Sequence, residues 1–89
     1  MRLTIIRSDG FISVDGTGYT VDLSTLDSTV HAVQWYDTQG EIEYTDLRGR
    51  IVENVEITSI DTFQYVISLW QEKHQQSLQN VIDTGNASV

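Results

Sequence analysis

From Leu3 to Ile57 the chain alternates apolar and polar residues in short runs separated by turn residues, and from Asp61 onward the period lengthens to that of a helix. The first run flanks Ser8-Asp9-Gly10-Phe11. Asp-Gly between two alternating segments predicts a two-residue type I′ hairpin. With Ser8 opposite Phe11, Ile5 faces Val14 and Ile6 faces Ser13. Leu3, Ile5, Ile12 and Val14 then share one face, and Thr4, Ile6, Ser8, Phe11 and Ser13 the other. A second turn at Asp15-Gly16-Thr17-Gly18 leads into a third strand marked by Tyr19, Val21 and Leu23. Asp22 to Ser28 reads as a polar connection, with a single helical turn pinned to the core by Leu26.

Val30 to Tyr44 predicts a second hairpin around Asp37-Thr38-Gln39-Gly40, with Gly40 supplying a positive φ. Ser28 offers a helix cap for the segment that follows it, but the β-rich Trp35-Tyr36 ending and the partner segment favour a strand. Pairing Tyr36 with Glu41 places Val33, Trp35, Ile42 and Tyr44 on one face and Gln34, Tyr36, Glu41 and Glu43 on the other, with His31 opposite Asp46. After a turn at Asp46 to Arg50, Ile51 to Ile57 alternates as a further strand.

The helix begins at Asp61, a capping residue with Gln64 three positions on and Ile60 and Tyr65 at the staple positions. Phe63, Val66, Ile67 and Trp70 form one apolar stripe, which His74, Leu78 and Val81 extend sparsely until Gly85 ends it. Together these elements predict an α+β fold: a mostly antiparallel sheet of five to six strands, built from hairpin meanders, with one C-terminal helix packed on it. A single domain spans residues 1–84, and 85–89 form a frayed tail. Trp35, Tyr44, Phe63 and Trp70 are expected to meet in one core, with the two tryptophans close together.

With 89 residues the chain supports one small domain, and zero Cys excludes disulfides, thiolate metal sites and a cysteine nucleophile. The N-terminal apolar run is too short and interrupted for a signal peptide or membrane span. The net charge of −8 is concentrated. From Ser8 to Leu47 there is no Lys or Arg, while Asp9, Asp15, Asp22, Asp27, Asp37, Glu41, Glu43 and Asp46 all fall there. Such a field repels nucleic acid and anionic membranes, so direct binding to either is not expected. The acids read as turn residues and solubilising groups, or as a decoy surface that competes with nucleic acid for a basic partner.

Candidate chemistry is sparse. His31 and Asp46 fall together at the end of a hairpin, a pair that orients an imidazole, but no Ser or Cys nucleophile accompanies them. Glu41 and Glu43 share a face without a third or fourth oxygen ligand for a cation. The glycines around Gly16 and Gly18 lack the Lys and following helix of a phosphate loop, and Asn86-Ala87-Ser88 is a chance sequon in a chain without a secretory signal. No catalytic residue, metal or cofactor is therefore expected. Tyr36, exposed among acids, is a contact anchor of the kind enriched at interfaces. The expected contact surface is Gln34, Tyr36, Glu41 and Glu43, joined by the distal helix around His74 and Leu78. The sparse helical stripe and an exposed sheet edge leave self-association open.

Leu3 to Asp9, Val14 to Gly16, Val21 to Ser24, Val30 to Tyr36, Gly40 to Tyr44 and Ile57 to Trp70 form a pattern that resembles a group of small proteins of tailed bacteriophages, some labelled as tail-fibre or tail-assembly proteins. The most specific part is His31-Ala-Val-Gln-Trp35 followed by Gly40-Glu-Ile-Glu43. The resemblance covers Met1 to Trp70, and here the segment beyond is short and Gln-rich rather than Ala- and charge-rich. It implies a non-enzymatic phage accessory protein acting on virion or assembly proteins, in the infected bacterial cytoplasm or in the particle. It carries no catalytic residues to transfer. The rival expectation is an acidic inhibitor of a host protein.

Overall fold

The computed structural model describes residues 1–46 and 48–87, with side chains through Leu78. In chain order it contains β1 (Arg2–Ile6), β2 (Phe11–Val14), β3 (Thr17–Thr20), β4 (Val30–Tyr36), β5 (Gln39–Thr45), β6 (Ile51–Ile57) and, after a 3-10 turn at Asp61–Phe63, α1 (Gln64–Ala87). The six strands form one antiparallel sheet in the order β3-β2-β1-β4-β5-β6. Two meanders, β1–β3 and β4–β6, run outward from a shared centre where Leu3, Thr4 and Ile5 pair with Trp35, Gln34 and Val33. This is the α+β architecture that the alternation predicts.

Both predicted hairpin registers are displaced by two residues. In the first, Ile6 pairs with Phe11 and Ile5 with Ile12. Arg7–Asp9 coil into a 3-10 turn closed by Gly10, which takes φ 57° and donates its N–H to the Arg7 carbonyl at 3.1 Å. The two-residue turn instead uses the other Asp-Gly, where Asp15 and Gly16 both have positive φ between Val14 and Thr17. In the second hairpin Tyr36 pairs with Gln39, so the turn is Asp37-Thr38 and Asp37 takes the positive φ of 57°. Asp tolerates that region because its short polar side chain bonds locally. Gly40 lies within β5. A Cβ there would come within 2.8 Å of the Trp35 Cα and overlap the Gln34 carbonyl, so its role is close approach rather than a turn. A displacement of two leaves every side chain on its predicted face. His31 is a bulge residue between the pairs Val30–Tyr44 and Ala32–Glu43, so it does not pair with Asp46.

One face of the sheet carries the core. Leu3, Ile5, Ile12 and Val33 are fully buried, and Trp35 and Ile42 nearly so. The second layer comes from two sources: the crossover from β3 to β4, which contributes Val21, Leu23 and Leu26, and the start of the helix, which contributes Phe63, Val66 and Ile67. The crossover passes the β1–β2 turn, where the Val21 N–H donates to the Gly10 carbonyl at 2.8 Å and Arg7 Nε to the Leu26 carbonyl at 3.4 Å. It makes a hydrogen-bonded turn, Leu26 N–H to Leu23 carbonyl at 3.0 Å, in place of the expected helical turn.

The helix start also differs in detail. No side chain of Asp61 caps it, and the Asp61 N–H donates to Ser59 Oγ at 3.2 Å. Ile60 packs against the core, while Tyr65 is 41% exposed. The stripe of Phe63, Val66, Ile67 and Trp70 faces the sheet as predicted. The helix runs through Gly85 to Ala87 rather than ending at the glycine. The extension of the stripe through Val81, the residues after 87 and the Leu47 position of the β5–β6 turn lie outside the described residues. The two tryptophans are not neighbours. Trp35 pairs with Leu3 in β4, whereas Trp70 donates to the Thr17 carbonyl in β3 at 2.8 Å, so three strand spacings, about 14 Å, separate the two places.

Candidate protein-binding face

The helix and crossover cover one side of the sheet, and the side chains alternating to the other side form an open face. Across it runs a row of directly paired residues, Ser13, Thr4, Gln34, Glu41 and Glu56, on five successive strands. The Thr4 hydroxyl donates to Gln34 Oε1 at 2.9 Å, which turns the Gln34 amide nitrogen free of that bond. Glu41 and Glu56 then oppose one another with the same charge, an arrangement that lowers the stability of an antiparallel pair. Beside this row, Arg2 pairs with Tyr36 and Ala32 with Glu43. Arg2, Gln34, Tyr36, Gln39, Glu41 and Glu56 line a shallow groove with the Trp35 and Gly40 backbone region at its floor. Tyr36 stands 66% exposed at its rim.

Four of the six residues expected to make contacts, Gln34, Tyr36, Glu41 and Glu43, thus lie on one open face. The other two do not join them. His74 stacks on Trp70 with ring centroids 4.8 Å apart and planes 15° from parallel. The Tyr19 hydroxyl lies 2.9 Å from its Nδ1. His74 is therefore engaged within the molecule, fastening the helix to β3, and Leu78, 47% exposed, follows one turn later along the helix. The spacing of Trp70 and His74 at i and i+4 was the sequence signal for that stack. Sequence reasoning missed Arg2, Thr4 and Glu56, because the β1–β4 pairing and the β5–β6 register that bring them to the face join segments distant or irregular in sequence.

His31 and Asp46 line one surface depression with Arg7, Thr29 and Gly49. The Asp46 carboxylate accepts N–H groups of Arg48 at 2.8 Å and Arg50 at 3.0 Å, closing its own loop rather than orienting the imidazole. Among the described residues no group of three or more His, Asp or Glu side chains is arranged to hold a metal ion, and no helix is long and apolar enough to cross a membrane.

No protein-family model, curated protein or solved structure matches this chain.

Proposed function

We propose that the chain is a non-enzymatic binding module, an accessory protein of a tailed bacteriophage that grips a virion, tail or tail-assembly protein with the open face of its sheet. The observation that carries this reading is the uncovered face itself, with Tyr36 at 66% exposure beside the like-charged Glu41–Glu56 pair. A like-charge pair set on an open face beside an aromatic anchor sacrifices stability that a basic protein partner would restore. The phage assignment rests on the sequence resemblance. Its most specific motif, Val30 to Tyr36 with Gly40 to Tyr44, contains Gln34, Tyr36, Glu41 and Glu43. The place of action is the infected bacterial cytoplasm or the particle.

Affinity purification of a tagged copy from infected cells tests this. The expected result is salt-sensitive recovery of a phage structural or assembly protein, lost in a Tyr36→Ser, Glu41→Lys double variant that remains folded. Particles that lack the protein, together with normal assembly after its deletion, would sink the reading. The same acid pair favours a second reading, in which the face imitates nucleic acid and captures a host factor. That reading requires a DNA- or RNA-binding host protein in the eluate, displaced by added nucleic acid.

A further inference from the structure

We infer that β6 is a self-pairing edge, and that two copies of the chain join there into one continuous sheet. β6 ends the sheet on the side away from the helix, which lies against β2 and β3. Among the described residues no strand lies beside its outer backbone groups, while Ile51 is 62% exposed, Val52 59% and Val55 37%. A second copy is the occupant because the regular segment of the strand is complementary to itself when centred on Val55. The ladder fixes which groups are free. The Asp37-Thr38 turn makes Tyr36 and Gln39 a hydrogen-bonded pair, and the Thr45 N–H reaches the Thr29 carbonyl at 2.7 Å on the β4 side. Alternation then directs the backbone groups of Gly40, Ile42 and Tyr44 to β6, where they meet Ile57, Val55 and Glu53. The N–H and C=O of Asn54 and Glu56 therefore point outward.

Two identical antiparallel strands related by a two-fold axis normal to the sheet must place one residue opposite its own copy. Centring on Glu53 or Glu56 sets acid against acid. Centring on Asn54 pairs Glu56 with Val52, the bulge residue that breaks the ladder between Glu53 and Ile51. Centring on Val55 uses only the regular segment 53–57. Val55 then meets its copy at the close, non-hydrogen-bonded position, Glu53 faces Ile57, and Asn54 faces Glu56. Each Asn54–Glu56 pair exchanges both backbone hydrogen bonds through the outward groups, and the Asn54 amide faces a carboxylate that accepts from it. Every outward group of the regular segment is satisfied, and no acid opposes an acid. Such a pairing leaves both helices on one side and joins the two open faces on the other.

Sedimentation and light scattering over a concentration series test this on the full chain, with circular dichroism reporting the fold. A dimer is expected. Glu56→Pro removes an outward N–H and none that bonds β5, a position where an edge strand tolerates proline. It is expected to weaken the dimer about tenfold or more while the monomer stays folded. Val55→Lys and Val55→Glu place like charges across the axis and are each expected to be monomeric, whereas their equimolar mixture re-forms the dimer. A wild-type monomer at every concentration, including one whose edge accepts an unrelated peptide strand, overturns the inference. So does a dimer untouched by Glu56→Pro, or a mixture of the two Val55 variants that stays monomeric.

Discussion

The two edge strands of the sheet differ in what packs against them. At β3 the helix packs against the strand: Trp70 donates to the Thr17 carbonyl, stacks on His74 and lies against Tyr19 with ring centroids 5.9 Å apart, although Thr17, Gly18 and Thr20 are themselves exposed. At β6 no element among the described residues lies beyond the strand, and six of its seven residues are exposed. Yet the two sequences advertise the reverse. β3 is Thr-Gly-Tyr-Thr, with little to bury, whereas β6 carries Ile51, Val52, Val55 and Ile57. Alternation therefore establishes that a segment is a strand. Burial depends on whether a second layer reaches it, and here the layer made by the crossover and α1 lies over the first meander and the centre. Charge compensates at the bare edge, where Glu53 and Glu56 discourage indiscriminate pairing.

The largest test of this contrast compares two isoleucines. Ile5 is fully buried at the centre of the sheet, and Ile51 is 62% exposed at its edge. Ile5→Ala is expected to cost about 2–5 kcal/mol through lost burial and the cavity it leaves. Ile51→Ala is expected to change stability by about 0.5 kcal/mol or less. Urea unfolding of the two variants measures both. Equal losses would mean that β6 is covered and that the asymmetry is wrong.

A smaller effect is expected where the helix packs on β3. Trp70 is partly buried, so Trp70→Ala should cost about 2–3 kcal/mol, below the range for a fully buried tryptophan. Trp70→Phe keeps an aromatic surface for Tyr19 and His74 but leaves the Thr17 carbonyl without its indole donor. It is expected to cost about 1 kcal/mol. Hydrogen exchange would localise the loss, with β3 and the second half of the helix exchanging faster and β5 and β6 unchanged.

The same asymmetry explains what the sequence made legible. Side-chain faces were readable because a two-residue error in either hairpin preserves parity: Leu3, Ile5, Ile12 and Val14 go inward whether Ile5 meets Val14 or Ile12. Turn identity was less readable. Asp9-Gly10 and Asp15-Gly16 are the same dipeptide, and the choice between them follows from tertiary bonds. The Asp15 N–H donates to the Arg2 carbonyl at 2.8 Å and the Asp15 carboxylate accepts the Arg2 N–H at 2.9 Å, which extends the ladder up to the second turn. Gly40 misled for a related reason, since a glycine required beneath Trp35 looks in sequence like one required by a turn. For the open face, local alternation supplied Gln34, Tyr36, Glu41 and Glu43. Arg2 and Glu56 arrive through strand partners that no local pattern specifies. His74 was read as surface because its hydrogen-bond partner Tyr19 comes from β3, at the far end of the sheet, although Trp70 at i−4 on the same helix was a local sign of the stack.

The smallest effect concerns the crossover, the part of the covering layer that lacks regular structure. Asp27 holds it together: its Oδ1 accepts the Thr29 N–H at 2.9 Å and the Thr29 hydroxyl at 2.7 Å, and its carbonyl accepts the Val30 N–H at 3.0 Å. Those donors, the backbone N–H foremost, keep the Asp27 carboxyl below the ordinary value of 3.8. A carboxyl that is more acidic in the folded chain contributes stability at pH values above its unfolded value, and that contribution disappears as the pH falls through the lowered value. Because Asp27 is exposed, solvent screens the gain and the change is small. Acidification from pH 5 to pH 2 is expected to lower the melting temperature, and Asp27→Asn to reduce that drop slightly. Over the same range the methyl signals of Leu23 and Leu26, which the crossover inserts into the core, should shift, while those of Ile51 and Val55 at the bare edge should respond only through their own neighbouring acids, unaffected by Asp27→Asn. Equal sensitivity of both groups to that substitution would show that the crossover and β6 form one cooperative layer, and the division between the helix-packed side of the sheet and the bare one would no longer hold.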